Sequence, residues 1–371
     1  MQAWLLNERK IKSEILSAIV TVKEVWTSVH VFRRKHIMRK IQRIALVAAT
    51  ALIAFASAGC VNSGSSSKPA SSSTTKKKHY TIGICQYVQH QALDAATKSF
   101  KAEVKKELGA KNVTFDDQNA QGDSSTTSTI CTNFASEKVD LIMANATPAL
   151  QAAASATKSI PILGTSVTSF PVALNLKHFN GTVGGNISGT SDLAPLDKQE
   201  KIIKDFVPKA KRLGILRSSS EPNSKYQAEE IEKYAKKDGY KVTQYTFSDT
   251  NDVNSVTRQA VSASDVIYIP TDNLASSCSK TINNVALKAK VPIIAGEEML
   301  MGRCGVGTLS IDFNKLGKIT GQMAVQVLTG KKKISQMPIQ YDPEPVKEYN
   351  PTICKKLGIK PPAGYKPYTE K

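Results

Sequence analysis

Short apolar segments alternate with helical patterns from residue 79 onward. Between the first two segments, residues 91–108 place Leu93, Ala96, Phe100, Val104 and Leu108 at helical spacing, which predicts one helix with a buried face. The apolar segments are rich in β-branched or large aliphatic residues and are bounded by polar turns: HYTIGIC (79–85), VDLIMA (139–144) and IPILGT (160–165). Such segments are typical of buried strands. Strands that alternate with helices predict a parallel sheet covered on both faces.

The same order of elements returns in the second half of the chain. KRLGILR (211–217) matches the first apolar segment, and SDVIYIPTDNLAS (264–276) aligns with VDLIMANATPALQ (139–151). KVPIIAGEE (290–298) aligns in the same way with SIPILGTSV (159–167). We therefore predict an α/β fold with two similar lobes, each a doubly wound parallel sheet.

A doubly wound lobe binds ligands beyond the carboxyl ends of its strands, where loops and helix N-termini converge. Two lobes that face each other across those ends form a cleft that can close on a small molecule. The loops at the predicted ends are rich in hydrogen-bonding side chains: QYVQH (86–90), NATPA (145–149), TSVTSF (165–170), SSSEPNS (218–224), PTDN (270–273) and GEEM (296–299).

These loops offer partners for both ends of an amino acid. Thr147 before Pro148 predicts a capped helix start, whose free N–H groups either hold a carboxylate or only begin a helix. Thr165 and Ser166 could add hydroxyl donors to the same carboxylate. An aromatic wall could come from Tyr87, which follows Gln86 in the first loop, or from Phe170, although an aromatic residue beside a strand end often belongs to the core.

An ammonium group requires acidic partners, because an unpaired charge is costly to bury. The candidates are Asp272, which could also merely cap its helix, and one of the two glutamates Glu297 and Glu298. Asn223 and Asn273 could bind either end of the ligand. The candidate ligand-binding set is thus Gln86, Tyr87, Thr147, Thr165, Ser166, Asn223, Asp272, Asn273, Glu297 and Glu298.

The N-terminal part of the chain has the pattern of an export signal. The apolar run 44–58 is shorter than the roughly 20 residues that span a bilayer, and the basic stretch 38–43 precedes it, so we expect a signal peptide at 38–59. Residues 1–37 then either precede the true start codon, as a gene-start overcall, or form an unusually long leader before the signal peptide. Cleavage after Ala58 would release a free protein, whereas Ser57-Ala58-Gly59-Cys60 resembles a lipobox. We favour lipidation of Cys60, followed by a flexible linker over 60–78.

Composition and motifs argue against several other classes of protein. The net charge is +19, but much of it precedes residue 79, and the rest forms no basic stripe, so we expect no nucleic-acid partner. The five cysteines after Cys60 are widely spaced without a CxxC pair, which predicts no metal site. One disulfide is possible, and the spacing does not choose its pair. HExxH, GxSxG, P-loop and GxGxxG motifs are absent from the sequence, so we expect neither an enzyme nor a cofactor.

Several stretches in order resemble one family: DDQNAQGD, ATPALQAAA, NISGTSDLAPLDKQ, IYIPTDN, VPIIAGEE and TLSIDFNKLGKITGQMA. Over residues 80–360 the chain is similar to the substrate-binding lipoproteins of ABC importers in the tryptophan/tyrosine-binding-like family, which have the type I periplasmic-binding-protein fold. The resemblance implies two lobes joined by three hinge strands. By analogy, residues 79–188 and about 309–330 form the first lobe, and residues 189–308 and about 331–371 form the second.

The resemblance also implies a function. The chain would be a monomer anchored by lipid on the extracytoplasmic face of the cell membrane. It would capture a small solute, which we expect to be an aromatic or aliphatic amino acid, and deliver it to an ABC permease with its ATPase. The alternatives are a ligand-sensing receptor of the same fold and an importer receptor for a nucleoside or a sugar.

Overall fold

The computed structural model describes residues 79–369. The expected signal peptide, Cys60 and the whole linker over 60–78 lie outside these residues. The chain divides after Thr74, and the second unit, Thr75–Lys371, contains every described residue. Among the helices within residues 79–369, none combines the length and hydropathy needed to span a bilayer.

Strands and helices alternate along most of the described chain. Residues 80–191 form β1 (Tyr80–Gln86), α1 (Gln91–Leu108), β2 (Val113–Asn119), α2 (Ser124–Glu137), β3 (Leu141–Asn145), α3 (Thr147–Ala156), β4 (Ile162–Val167), α4 (Phe170–Leu174) and β5 (Ile187–Ser191). Residues 196–310 form α5 (Leu196–Phe206), β6 (Arg212–Ser218), α6 (Pro222–Lys237), β7 (Lys241–Phe247), α7 (Val253–Ala263), β8 (Val266–Ile269), α8 (Asn273–Ser277), α9 (Ser279–Ala289), β9 (Ile293–Ala295), α10 (Glu298–Cys304) and β10 (Gly307–Ser310). The remaining elements are α11 (Phe313–Leu328), β11 (Gln340–Tyr341), β12 (Val346–Tyr349), α12 (Pro351–Leu357) and β13 (Lys366–Pro367).

The strands form two sheets with the same internal order. The first sheet runs β11-β5-β4-β3-β1-β2 and is parallel throughout. The second runs β13-β12-β10-β9-β8-β6-β7 and is parallel except where β12 meets β10. The order β2-β1-β3-β4-β5 is thus repeated as β7-β6-β8-β9-β10, which is a doubly wound topology. The predicted fold class, two such lobes joined by a hinge, is confirmed.

The chain passes between the sheets three times, after β5, after β10 and after β11. The sheets correct the expected lobe boundaries at two places. Residues 189–191 complete β5 of the first sheet, although the second lobe was expected to begin at 189. Strand β11 pairs with β5, so residues 340–341 lie with the first sheet and not with the second lobe. The short β11 has two exposed residues, and no apolar pattern marked its pairing.

Helix α11 returns from the second lobe to cover the first sheet. It packs closely on α1, because Gly317 and Gly321 face that helix. A Cβ at Gly317 would lie 2.1 Å from the carbonyl oxygen of Ala96. Met323 and Ala324 of α11 then complete an apolar cluster with residues of β1, β3 and α1. This late segment is therefore part of the core of the first lobe.

Candidate functional site

The carboxyl ends of the strands in the two lobes face each other across a closed cleft. His90, which follows β1, contacts Asn273 at the start of α8, with Nε2 and Oδ1 3.2 Å apart. Gln227 of α6 donates a hydrogen bond of 3.4 Å to Thr168, which follows β4. Leu274 of the second lobe packs against Gly122 of the first. These contacts hold the strand ends of the two lobes together.

Six polar atoms at these strand ends are buried without a hydrogen-bond partner in the described chain. Two of them are His90 Nδ1 after β1 and Asn145 Oδ1 at the end of β3. The other four are Thr147 Oγ1 after β3, Ser166 Oγ in β4, Asp192 Oδ1 after β5 and Asn223 Oδ1 after β6. A buried polar atom without a partner costs about 1–3 kcal/mol, and such atoms are rare in native proteins. We call these four residues the cleft set. Their position marks where a bound molecule would supply the missing partners.

Thr147 reaches the cleft through an unusual helix start. The sequence predicted that its hydroxyl would cap the helix, and this prediction is wrong: the capping position is Ala146, with φ of 90°, and no side chain caps α3. Thr147 is the first helical residue and Pro148 follows it. The hydroxyl is therefore not used by the helix. The first-turn N–H groups of a helix have no partner within the helix, so they can bind an anion beside this hydroxyl.

Ser166 lies at an irregularity in β4. The register between β4 and β5 shifts between Gly164 and Val167, and Ser166 has φ of 52°. A residue other than glycine is strained in this left-handed region, by roughly 1–2 kcal/mol. Such strain is concentrated at functional sites. The bulge turns the Ser166 side chain out of the regular alternation of the strand.

Asp192 and Asn223 present acceptors from opposite lobes. Burial raises the pKa of Asp192 to about 6, and a hydrogen bond from Thr168 offsets part of that rise. Thr168 also accepts the hydrogen bond from Gln227, so Asp192 is linked to the second lobe. The Asn223 amide nitrogen donates to Thr271 O at 3.0 Å. Its amide oxygen is thereby left as an acceptor, which suits a cation or another hydrogen-bond donor.

A second acidic group lies behind Asn223. Glu221 is fully buried and accepts hydrogen bonds from the backbone N–H of Leu274, at 2.9 Å, and from Asn273 and Asn223. Burial raises its pKa, and the neighbouring Asp272 raises it further. Burial also raises the pKa of Asp272. Two carboxyl groups this close cannot both ionise easily, and a nearby cation would favour their ionised forms.

The remaining predicted residues of the second lobe hold the structure of its loops. Asp272 caps α8 through Ala275 N at 2.9 Å and also accepts from Ser218 N at 2.7 Å. Glu297 caps α10 through Leu300 N and Met299 N, both at 2.6 Å. Asn273 is used by Glu221 and His90, as described above. Glu298 is buried, and its backbone N–H donates to Ser310 at 2.8 Å.

Two predicted residues of the first lobe are also satisfied within their own lobe. The Gln86 amide donates to Asp94 at 2.7 Å and accepts from Thr97 at 2.7 Å. The Thr165 hydroxyl lies 3.0 Å from that of Thr190, and the Thr320 hydroxyl lies 3.1 Å from Thr165. Both side chains therefore stabilise the first lobe and have little capacity left for a ligand.

Tyr87 lies where the two lobes meet. Its ring is buried in a cluster with Leu274 and Ala275 of the second lobe, and its hydroxyl donates to Gly122 O at 2.9 Å. Burial, together with the nearby charge of Glu221, raises the pKa of the phenol. Tyr87 is thus both a packing residue and part of the wall between the lobes.

Sequence reasoning missed Asp192, Glu221, Thr168 and Gln227. Glu221 stands before Pro222 in the predicted cleft loop 218–224, and an acid before a helix-starting proline is a usable signal. Asp192 follows β5, which the apolar pattern did not predict. Its position at a strand end could therefore not be recognised.

Comparison with known proteins gives consistent results. The family model described as ABC transporter substrate binding protein matches residues 81–364. A curated relative, the "Tyrosine-binding protein" of Clostridioides difficile (strain R20291), is 42% identical over 284 residues, which are 76% of this chain and 82% of the relative.

Two similar solved structures differ in their ligand state. An ABC domain from Streptococcus pneumoniae in complex with L-Trp is 32% identical, with a TM-score of 0.74 over 78% of this chain and 99% of that chain. A ligand-free, open substrate-binding protein with adhesive properties from Clostridium difficile is 39% identical, with a TM-score of 0.60 over 79% of this chain and 100% of that chain.

Proposed function

The chain belongs to the ABC transporter substrate-binding protein family, and on that premise we propose that it captures a free aromatic amino acid between its two lobes. Proteins of this family act outside the cytoplasm and serve an ABC permease. The observation that carries the proposal is the chemistry of the cleft set: two hydroxyl groups, one of them at a helix N-terminus, and two acceptors at other strand ends, all buried and without a partner. A zwitterionic amino acid has a carboxylate that can accept from the hydroxyls and an ammonium that can donate to the acceptors.

The carboxylate of the ligand binds at the first lobe. The hydroxyls of Thr147 and Ser166 donate to it, and the N-terminus of α3 adds N–H groups and a favourable dipole. Hydrogen bonds to a charged group are stronger than those between neutral groups. The strain at Ser166 is consistent with a residue held in position for binding.

The ammonium of the ligand binds to Asp192 and to the amide oxygen of Asn223. A cation at this place also lowers the energetic cost of burying Glu221 and Asp272. Tyr87 forms part of the wall beside the ligand side chain. The names of two relatives, a tyrosine-binding protein and an L-Trp complex, support an aromatic side chain.

Lobe closure encloses the ligand. The chain superposes better on the L-Trp complex than on the ligand-free open protein, with TM-scores of 0.74 and 0.60, although it is less identical to the former. This difference supports the interpretation that the described arrangement is the ligand-bound one. Opening would separate His90 from Asn273 and Gln227 from Thr168, and it would expose the cleft set to water.

The rest of the proposal concerns export and delivery. Residues 38–59 act as the signal peptide, Cys60 carries the lipid, and the linker lets a monomeric receptor reach its permease. The mass of the mature N-terminus tests this part, because lipidation at Cys60 and cleavage after Ala58 differ in mass. The protein binds its ligand without converting it, so the released ligand should be chemically unchanged.

The ligand itself can be identified directly. We would purify residues 75–371, record a native mass spectrum, and release and identify any bound molecule. Calorimetry would then compare L-tyrosine, L-tryptophan and L-phenylalanine with tyramine, which lacks the carboxylate, and with 3-(4-hydroxyphenyl)propionate, which lacks the ammonium. We expect the amino acids to bind and both analogues to lose at least about tenfold in affinity. Release of a sugar or nucleoside, or equal binding of the analogues, would refute the proposal.

A further inference from the structure

Two cysteines face each other in the core of the first lobe. Cys85 lies on β1 and Cys131 on α2, and both side chains are fully buried. They belong to the same apolar cluster between the first sheet and its helices. Both are free thiols in this structure. The neighbouring Cys131 raises the pKa of the Cys85 thiol, and the Cys131 sulfur lies 3.9 Å from Ala149 O.

The packing of α2 on β1 explains why the two cysteines are neighbours. Gly83 is two positions from Cys85 on β1, so both point to the same face of the sheet. Phe134 is three positions from Cys131, so both lie on the same face of α2. The Phe134 ring packs on Gly83, where a Cβ would lie 2.7 Å from the ring. Because a crossover helix runs back along its strand, this contact places Cys131 opposite Cys85.

We propose that Cys85 and Cys131 form a disulfide in the exported protein. Each thiol loses a proton and an electron as the S–S bond forms. An external disulfide, either a small molecule or a thiol–disulfide oxidoreductase, accepts both electrons and both protons and becomes two thiols. The family acts outside the cytoplasm, where disulfides persist. The structure thereby selects one pair of cysteines, a choice that their spacing in the sequence did not allow.

Burial determines when this bond can form. Neither thiol is accessible in the folded lobe, so the exchange takes place during folding after export, before α2 closes over β1. For the same reason the finished bond is protected from reductants. The crosslink closes the segment 85–131, and restricting a loop of this length in the unfolded chain stabilises the fold.

The bond would also restrain one wall of the cleft. Cys85 stands two positions before Tyr87, whose hydroxyl and backbone both bind to Gly122 just ahead of α2. Tying β1 to α2 therefore limits how far the Tyr87 loop can move when the lobes open.

Peptide mapping tests the proposal on the natural protein. The protein would be isolated from its own membranes, denatured without reductant, alkylated and digested at low pH to prevent exchange. We expect a linked peptide pair containing Cys85 and Cys131, lighter by two hydrogen atoms than the reduced pair. Cys304 and Cys354, which donate to backbone carbonyls, serve as internal controls and should be alkylated. Alkylation of both Cys85 and Cys131 without reductant would overturn the proposal.

Thermal unfolding gives a second readout. After unfolding and refolding with dithiothreitol, the protein should melt about 5 °C or more below the oxidised form. The double variant C85A/C131A should lose this response, whereas C304A/C354A should keep it. Equal melting temperatures of the oxidised and reduced natural protein would count against the bond. If a double variant does not fold, the peptide map still decides the question.

Discussion

The two lobes share one strand order but use the ends of equivalent strands differently. After β8 and β9 of the second lobe, the carboxylates of Asp272 and Glu297 cap the following helices. At the corresponding places after β3 and in β4 of the first lobe, the hydroxyls of Thr147 and Ser166 have no partner. Asp272 and Glu297 are therefore satisfied within the second lobe, whereas we expect a ligand to supply partners for Thr147 and Ser166. Changes at the two hydroxyls should affect binding, and changes at the two capping carboxylates should affect stability.

The largest effect is expected for Asp192→Asn. Replacing the carboxylate leaves the ligand ammonium without its charged partner, and losing one member of a buried charged pair costs about 2–5 kcal/mol. Affinity should fall by at least about 30-fold, while the melting temperature of the unliganded protein stays constant or rises. Calorimetry and thermal unfolding would measure the two quantities. Asp116→Asn, at a half-buried position of the edge strand β2, is the matched control and should change neither. Unchanged affinity would remove Asp192 from the site.

Asp272→Ala should have the opposite profile. It leaves the backbone N–H groups of Ser218 and Ala275 without an acceptor inside the second lobe, at a cost of about 2–3 kcal/mol of stability. Thr147→Val, the matched change in the first lobe, should reduce affinity by about tenfold without lowering the melting temperature. Denaturant unfolding and calorimetry on both variants would measure this difference. If Asp272→Ala did not lower the stability, or if Thr147→Val did, the expected difference between the two lobes would be contradicted.

The pH dependence should separate binding from stability. The pKa of Asp192 in the closed arrangement without a ligand is about 6, raised by burial, whereas the unfolded value is near 3.9. The contribution of Asp192 to the free energy of unfolding of this closed form should therefore decrease as the pH rises from about 4 to 6, since the unfolded carboxyl ionises more readily. Affinity for the ammonium should instead increase with pH and level off above about 6. Calorimetry from pH 5 to 8 checks this trend, and Asp192→Asn should weaken it.

The smallest effect concerns the strained Ser166. Ser166→Ala removes the hydroxyl and keeps the strain, whereas Ser166→Gly removes both. We expect both variants to bind several-fold more weakly, and the glycine variant to be more stable than the alanine variant by about 1 kcal/mol. Denaturant midpoints of the two variants give this difference directly. Equal midpoints would mean that the bulge imposes no strain on this residue.

The sequence predicted the elements whose buried faces are apolar. The helix expected over 91–108 is observed as Gln91–Leu108, and the family resemblance is confirmed. The edge strands β2 and β7 were not recognised, because most of their side chains are exposed or half-buried. Strand β5 was missed for another reason: its buried side chains are mainly hydroxyls. Ser188 donates to Met337 O, and Thr190 lies 2.9 Å from Thr320, so polar residues fill the interior there.

The position of the cleft was easier to predict from the sequence than which of its side chains are available to bind a ligand. The loops at the strand ends follow from topology, but the availability of a side chain depends on partners that are distant in sequence. Thr165 was expected to bind the ligand, yet Thr320 takes up its hydroxyl. Thr147 was expected to cap a helix, yet the backbone conformation of Ala146 leaves its hydroxyl unused. Whether a polar residue is occupied in this way is a property of the folded chain.

The close packing of α11 on α1 has a consequence for biogenesis. Because Met323 and Ala324 belong to the same apolar cluster as Ile82 and Ile84 of β1, the first lobe cannot complete this face of its core until the chain beyond residue 313 has crossed the membrane. Chains are delivered from the N-terminus, and contacts of high sequence separation form slowly. The lobe translocated first thus finishes folding late, and one face of its sheet stays incompletely covered until α11 arrives.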